Sequence, residues 1–235
     1  MPLCRRAHVA IWGSYALIGV IHVLAVAAEA ETLRRLTQPL LAPLLIAAVL
    51  TAAPRMQRTT VLTLGGLVAA WAGDSLGQLV PDPSHLIAPV AFLVALLLYA
   101  AALVPQWAHN RDPMRLALAI PYGAVVIGLF VACADGAGSR LPLVAAYAVG
   151  LGVTAFIAAG GNPLTWVGGT LFLVSSSVLA MDWFLPGAAI PMSDVWVMAT
   201  YIAGHGLLVA GIVQLLPSRR WTPAQSGAAL VIVEG

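Results

Sequence analysis

The sequence predicts an all-α, polytopic membrane protein of about eight transmembrane helices, with both termini on the cytoplasmic side. Three observations predict it. Of 235 residues, 61% are hydrophobic and 9% charged, against about 25% charged in an average soluble domain. The apolar residues form long runs separated by short polar or breaker-rich connections. The basic residues are all arginine and sit at the ends of those runs. A mean hydropathy of +0.95 leaves more apolar surface than a water-soluble fold can hide, so lipid must act as solvent for much of the chain. One helical transmembrane domain over residues 1–235 accounts for the length.

The first run, Val9 to Ala28, follows Arg5 and Arg6 and ends in Ala28-Glu29-Ala30, which resembles a signal-peptidase site. Its length suits a spanning helix better than the short core of a signal peptide. The remaining spans are expected near 38–53, 60–80, 86–105, 114–134, 141–160, 164–184 and 195–216. The second is short, and an earlier start or a tilt would correct it. Breaks are expected at Pro54, Pro81-Asp82-Pro83, Pro105, Asp112-Pro113, Gly160-Gly161-Asn162-Pro163 and Pro186-Gly187.

Orientation follows from arginine. With the N-terminus inside, Arg5, Arg6, Arg55, Arg58, Arg111, Arg115, Arg219 and Arg220 lie on the inner side, and Arg34, Arg35 and Arg140 on the outer side. This bias favours both termini inside. Trp12, Trp107, Trp166, Trp183, Trp196 and Trp221 fall near span ends, where an amphipathic ring prefers the headgroup level; Trp71 alone lies well inside a span. A bacterial inner membrane is the expected location. The arginines mark topology, and no nucleic-acid surface is expected. Cys4 and Cys133 fall on opposite sides, so no disulfide is expected.

Ionisable residues inside a span are costly and point to function. At about 1.5 Å per residue, His22, Asp74, Ser176 and His205 reach similar depth, at or just outside the midplane. Tyr201, Asn162 and Asp182 are nearer the ends. A polar cavity open to the outer side is one reading; simple bonding to neighbouring helices is the other. Asp74 is the strongest single residue, because a carboxylic acid that holds its proton in an apolar site is a general acid. His205 is its expected partner, or the group that positions a water. Gly73-Asp74-Ser75-Leu76-Gly77 matches G-x-S-x-G. That pattern marks a nucleophile elbow only at a strand-to-helix turn, although a Ser75–His205 dyad inside the membrane fits nucleophile–base logic. The sequence holds no H-E-x-x-H, P-loop or dinucleotide fingerprint, so no metal or nucleotide cofactor is expected. A weak internal repeat is suggested by equal spacings, Asp74 to Tyr99 and Ser176 to Tyr201.

Several segments look familiar together. Thr37-Gln38-Pro39-Leu40-Leu41-Ala42-Pro43-Leu44-Leu45 resembles the T-K-P-L-L-x-P-L-L segment of the YhhN-like lysoplasmalogenase family. Gly73-Asp74, followed by Leu76 and Leu79, resembles G-D-x-L-L, and Phe92…Tyr99 resembles F-L-x-A-H-L-L-Y. Leu171-Phe172-Leu173-Val174-Ser175…Leu179-Ala180…Phe184 resembles L-F-x-x-S-D-x-L-L-A-x-x-x-F. Val197-Met198-Ala199-Thr200-Tyr201-Ile202-Ala203 resembles V-M-x-T-Y-x-x-A-Q. The order holds from about residue 37 to residue 211. The departures are specific: the family lysine is Gln38, its helix-4 histidine is Leu96, its second aspartate is Ser176, and its glutamine falls at His205. Asp182, six residues beyond Ser176, lies about 120° around the helix and cannot simply replace that aspartate.

The resemblance implies hydrolysis of the vinyl-ether bond of a lysoplasmalogen-type lipid to a fatty aldehyde and a glycerophospho-alcohol. Asp74 would donate the proton, His205 would orient or deprotonate water, and Ser176 would bond that water. His22, Gln38, Tyr99, Ser175 and Tyr201 would bind substrate, with Arg34 or Arg35 near the lipid phosphate. Two alternatives stand beside it: a non-catalytic relative that binds or moves an amphiphile, and an intramembrane serine hydrolase.

Overall fold

The computed structural model describes residues 2–53, 55–79, 86–109 and 113–217, with the backbone alone at 2–5 and 77–79. Cys4, Arg5, Pro54, Pro81, Asp82, Pro83, Arg111, Asp112, Arg219, Arg220 and Trp221 therefore lie outside the described side chains. Among the described residues every regular element is helical: α1 (Pro2–Ala27), α2 (Glu31–Ala52), α3 (Arg58–Leu79), α4 (Ile87–His109), α5 (Pro113–Ala117), α6 (Ala119–Ala137), α7 (Leu141–Ala159), α8 (Pro163–Phe184) and α9 (Ser193–Leu215). A single 3₁₀ turn, Gly138–Arg140, joins α6 to α7.

Among the described residues, six stretches are long and apolar enough to cross a membrane. They are Arg6–Ala27, Glu31–Ala52, Ile87–His109, Pro113–Ala159, Pro163–Phe184 and Ser193–Leu215. The fourth contains α5, α6 and α7. The helix that carries Asp74, α3, is not among them: its threonines, Asp74 and Gln78 dilute its apolar character.

The expected breaks are met unevenly. At Asn162-Pro163 the chain stops and restarts as foreseen, because Asn162 caps α8: its side chain accepts from the Thr165 backbone N–H while Thr165 Oγ1 accepts from the Asn162 N–H. Pro105, by contrast, does not end α4, which runs on to His109. The fifth expected span is interrupted at Leu118, where α5 gives way to α6.

The second helix starts seven residues earlier than expected and carries two internal prolines, Pro39 and Pro43. A proline removes the N–H that would bond the carbonyl four residues back. Pro43 thereby frees the carbonyl of Pro39, and the Trp71 indole N–H donates to that oxygen at 3.1 Å. This explains the one tryptophan placed inside a span. It also fixes the register of α2 against α3: Gln38 adjoins Pro39, and Asp74 lies one turn beyond Trp71.

Pairwise packing closes a ring in the order α1, α2, α3, α4, α7, α8, α9 and back to α1, with α6 packed outside on α7 and α8. A further contact between α2 and α9 crosses the ring. The α8–α9 pair is the most extensive, and small residues make it so. A Cβ on Gly168 would stand 2.3 Å from the Leu208 backbone nitrogen, and one on Gly204 would stand 2.9 Å from that of Phe172. Close backbone approach at small residues is the usual basis of helix association in lipid, where hydrophobic burial gives no driving force. The fully buried Leu45, Leu67, Leu96, Leu103, Leu208 and Ile212 fill the ring, together with Tyr99 and Phe172.

Candidate functional site

Inside the ring, α2, α3, α4 and α9 each supply one or two polar side chains to a single hydrogen-bonded chain. Asp74 is 4% exposed. Its Oδ1 accepts from Gln38 Nε2 at 3.0 Å, and its Oδ2 accepts from the Tyr201 hydroxyl at 2.7 Å. His205, one turn beyond Tyr201, places Nδ1 3.2 Å from the Tyr201 oxygen. Its Nε2 lies 2.7 Å from the Tyr99 hydroxyl.

These contacts fix the proton positions together. Tyr201 gives its proton to Asp74, so its oxygen must accept, and His205 Nδ1 carries the hydrogen. Nε2 is then the bare nitrogen and accepts from Tyr99. Every donor points toward the carboxylate. With a proton on Asp74 Oδ2, the same heavy atoms support the opposite polarity: Asp74 to Tyr201, Tyr201 to Nδ1, and Nε2–H to Tyr99. A chain of this kind stabilises either charge state of its terminal acid without moving heavy atoms.

Aromatic rings enclose it. Phe172 stands edge-on to both Tyr201 and His205, at 5.4 and 5.6 Å between centroids, and Phe92 stands edge-on to Tyr201 at 5.7 Å. Two glycines of α3 provide seats for rings of α4. A Cβ on Gly66 would lie 2.5 Å from Tyr99 Cε1, and one on Gly73 would lie 2.8 Å from Phe92 Cε2. Tyr15 adds a bond from its hydroxyl to the Ile202 carbonyl, 2.7 Å.

Beyond Phe92 an apolar cavity of about 120 Å³ opens between α4, α7 and α8. Phe92, Tyr147, Leu151 and Ser176 form its inner part, and Leu86, Arg140, Trp183 and Phe184 its mouth. The mouth lies at the end of the bundle that also carries the Glu31 end of α2 and the start of α9. Phe92 is thus the partition between this cavity and the Tyr201–Asp74 pair.

The residues expected from sequence divide accordingly. Asp74, Gln38, Tyr99, Tyr201 and His205 meet in one network. Ser176 does not join it: its Oγ pairs with the Tyr147 hydroxyl at 3.4 Å and faces the cavity. The expectation that His205 orients a water also needs correction, since both ring nitrogens are engaged by tyrosines and the residue is 2% exposed. Ser175 donates to the Val197 carbonyl, joins α8 to α9 and stands outside the network. His22 pairs with Thr37 Oγ1 at 2.7 Å, one residue from Gln38 but outside the network. The Ser75–His205 dyad is not formed, for Ser75 Oγ is buried without a partner. At the Glu31 end of the bundle, Arg35 pairs with Glu31 at 2.7 Å, while Arg34 lies near Glu31 and Asp194. Both thus stand beside carboxylates. Sequence reasoning passed over Tyr147 and Arg140, as well as the wall formed by Phe92. Tyr147 had a signal, a hydroxyl in the middle of an apolar run; Phe92 had none beyond its place in the F…Y segment.

No curated protein and no solved structure gave a significant match. The family model described as the YhhN family matches residues 33–212, a stretch that contains Gln38, Asp74, Tyr99, Tyr201, His205 and every helix that lines the cavity. The chain therefore belongs to the YhhN family.

Proposed function

We propose that this protein hydrolyses the vinyl-ether bond of a lysoplasmalogen-type lipid, with Asp74 as proton donor. One observation carries the reading: a buried carboxyl group, held on both oxygens by neutral donors, stands one aromatic ring away from an apolar cavity that opens at the end of the bundle. Family membership supports the substrate class.

A vinyl ether is cleaved by protonation at its β-carbon. Asp74 gives that proton, the adjacent carbon becomes an oxocarbenium ion, and Asp74 is left as a carboxylate. The Gln38 N–H and Tyr201 O–H bonds stabilise the charge so formed. The same carboxylate then takes a proton from the water that adds to the cationic carbon. The resulting hemiacetal collapses, its hydroxyl proton passing to the departing glycerol oxygen, to give aldehyde and alcohol. One carboxyl group thus serves as acid and then as base, and the second aspartate absent at Ser176 is not required. His205 and Tyr99 act through Tyr201, as positioning residues.

In this reading eight helices span the membrane, both termini lie inside, the cavity opens outward, and a bacterial inner membrane is the location. A lipid-binding role without catalysis is favoured by one observation, that Asp74 is the only carboxylate in the network. The test separates the two. Purified protein in lipid nanodiscs is given a lysoplasmalogen and, separately, its saturated ether counterpart. Aldehyde is expected from the first alone, and Asp74→Asn is expected to abolish it. No aldehyde above a heat-inactivated control, or full activity in Asp74→Asn, overturns the proposal.

A further inference from the structure

We propose that Arg140, at the mouth of the Phe92–Tyr147 cavity, is the residue that reads the phosphate of a single-chain amphiphile whose first carbons occupy the cavity. The assignment rests on the reading of this cavity as the seat of the lipid chain.

Four observations lead to it. Arg140 and Trp183 line the mouth of an otherwise apolar cavity, so cation, amphipathic ring and hydrocarbon-lined space follow one another along a single path. The ion pairs among the described residues involve Glu31, Arg34, Arg35 and Asp194, and none takes in Arg140. The basic residues first expected to meet a phosphate are thus engaged, while Arg140 is exposed and carries its charge beside the opening. Its backbone is fixed by the 3₁₀ turn Gly138–Arg140, in which the Leu141 N–H bonds the Gly138 carbonyl. The charge is therefore held at the rim by a short, ordered connection.

Size sets the rest. A dry cavity of about 150 Å³ takes up benzene, so about 120 Å³ holds a handful of carbon atoms. That suits the first segment of one chain and leaves no room for two. A guanidinium matches a phosphate with paired N–H donors. The ligand class is therefore a phosphate-bearing amphiphile with one hydrocarbon chain. With the phosphate at the rim and the first carbons filling the cavity, those carbons reach Phe92, the partition from Asp74.

The experiment measures binding without turnover. A short-chain 1-O-alkylglycerophosphocholine has no double bond to protonate, so it cannot be hydrolysed by the proposed route. Calorimetric titration of the full chain in nanodiscs compares it with the matching 1-O-alkylglycerol, glycerophosphocholine and inorganic phosphate. Arg140→Gln is expected to weaken the phosphate-bearing amphiphile about tenfold, the size expected for one charge-assisted bond near water, and to leave the alkylglycerol unchanged. Arg140→Lys should recover part of the loss. The proposal is overturned if Arg140→Gln binds both amphiphiles like the parent. It is equally overturned if phosphate or glycerophosphocholine binds as tightly as the full amphiphile, which would mean an anion site that ignores the cavity. If this pattern holds while no aldehyde is ever released from a vinyl ether, the reaction fails and the binding site stands.

Discussion

Replacing Gly66 with alanine tests the geometry of the network directly. The added Cβ would sit 2.5, 2.8 and 3.0 Å from Cε1, Cδ1 and Cζ of Tyr99. Carbon atoms rest at about 3.5–4.0 Å, so the ring must retreat by roughly 1 Å. Tyr99 has no exposed surface, so the retreat must displace packed neighbours. A displacement of that size would take the hydroxyl out of its present 2.7 Å bond to His205 Nε2, whose length varies by only a few tenths of an ångström. Overpacking costs about 1–3 kcal/mol, the interhelical bond about 0.6 kcal/mol, and the better helix propensity of alanine returns up to about 1 kcal/mol. The net loss expected is about 1–3 kcal/mol. Equilibrium unfolding in mixed micelles can measure it, with Tyr99→Leu and the double variant completing a cycle. In the Tyr99→Leu background the alanine should cost close to nothing, because the atoms it strikes are gone. If Gly66→Ala costs under about 0.5 kcal/mol, or costs the same with leucine at 99, then Gly66 is not the seat of Tyr99 and the reasoning is wrong.

Two further outcomes concern turnover. Tyr201→Phe removes the donor to Asp74 Oδ2 and the acceptor of His205 Nδ1–H. It should lower kcat/KM for aldehyde release by about 10–100-fold, the range expected for a bond to a charged group, and lower the melting temperature as well, because Asp74 Oδ2 and His205 Nδ1 each lose a buried partner. Ser75→Ala removes a buried hydroxyl that bonds to nothing; stability should hold or rise slightly, and aldehyde release should stay within about twofold of the parent. Loss of activity in that variant would restore the serine-hydrolase reading.

The helices were legible because hydropathy is a property of composition, and α1, α4, α7, α8 and α9 fall near where their apolar runs lie. Proline misled once. Pro105 reads as a breaker, yet it sits inside α4, as Pro39 and Pro43 sit inside α2, where the oxygen freed by Pro43 is satisfied by Trp71. Within the site, depth alone gathered Asp74 and His205. It could not tell which face of a helix each residue occupies, so Ser176 and His22 were grouped with them although their partners are Tyr147 and Thr37. The link between Asp74 and His205 is a tyrosine, and tyrosine is nearly silent in a hydropathy reading because its ring and its hydroxyl offset each other. Arg140 was counted for topology, and only the fold showed it beside a cavity.

The directional chain from Tyr99 to Asp74 has a consequence for how such a site can change over generations. The Tyr201 hydroxyl and the His205 ring each serve one neighbour as donor and the other as acceptor. Loss of one member strands two others in a medium without water, so single replacements meet a barrier that paired replacements avoid. Positions 99, 201 and 205 should therefore covary, with a side chain at 205 that can both give and take a proton bond. Gln38 sits at the far end and donates to Asp74 Oδ1, outside the relay of reversible bonds.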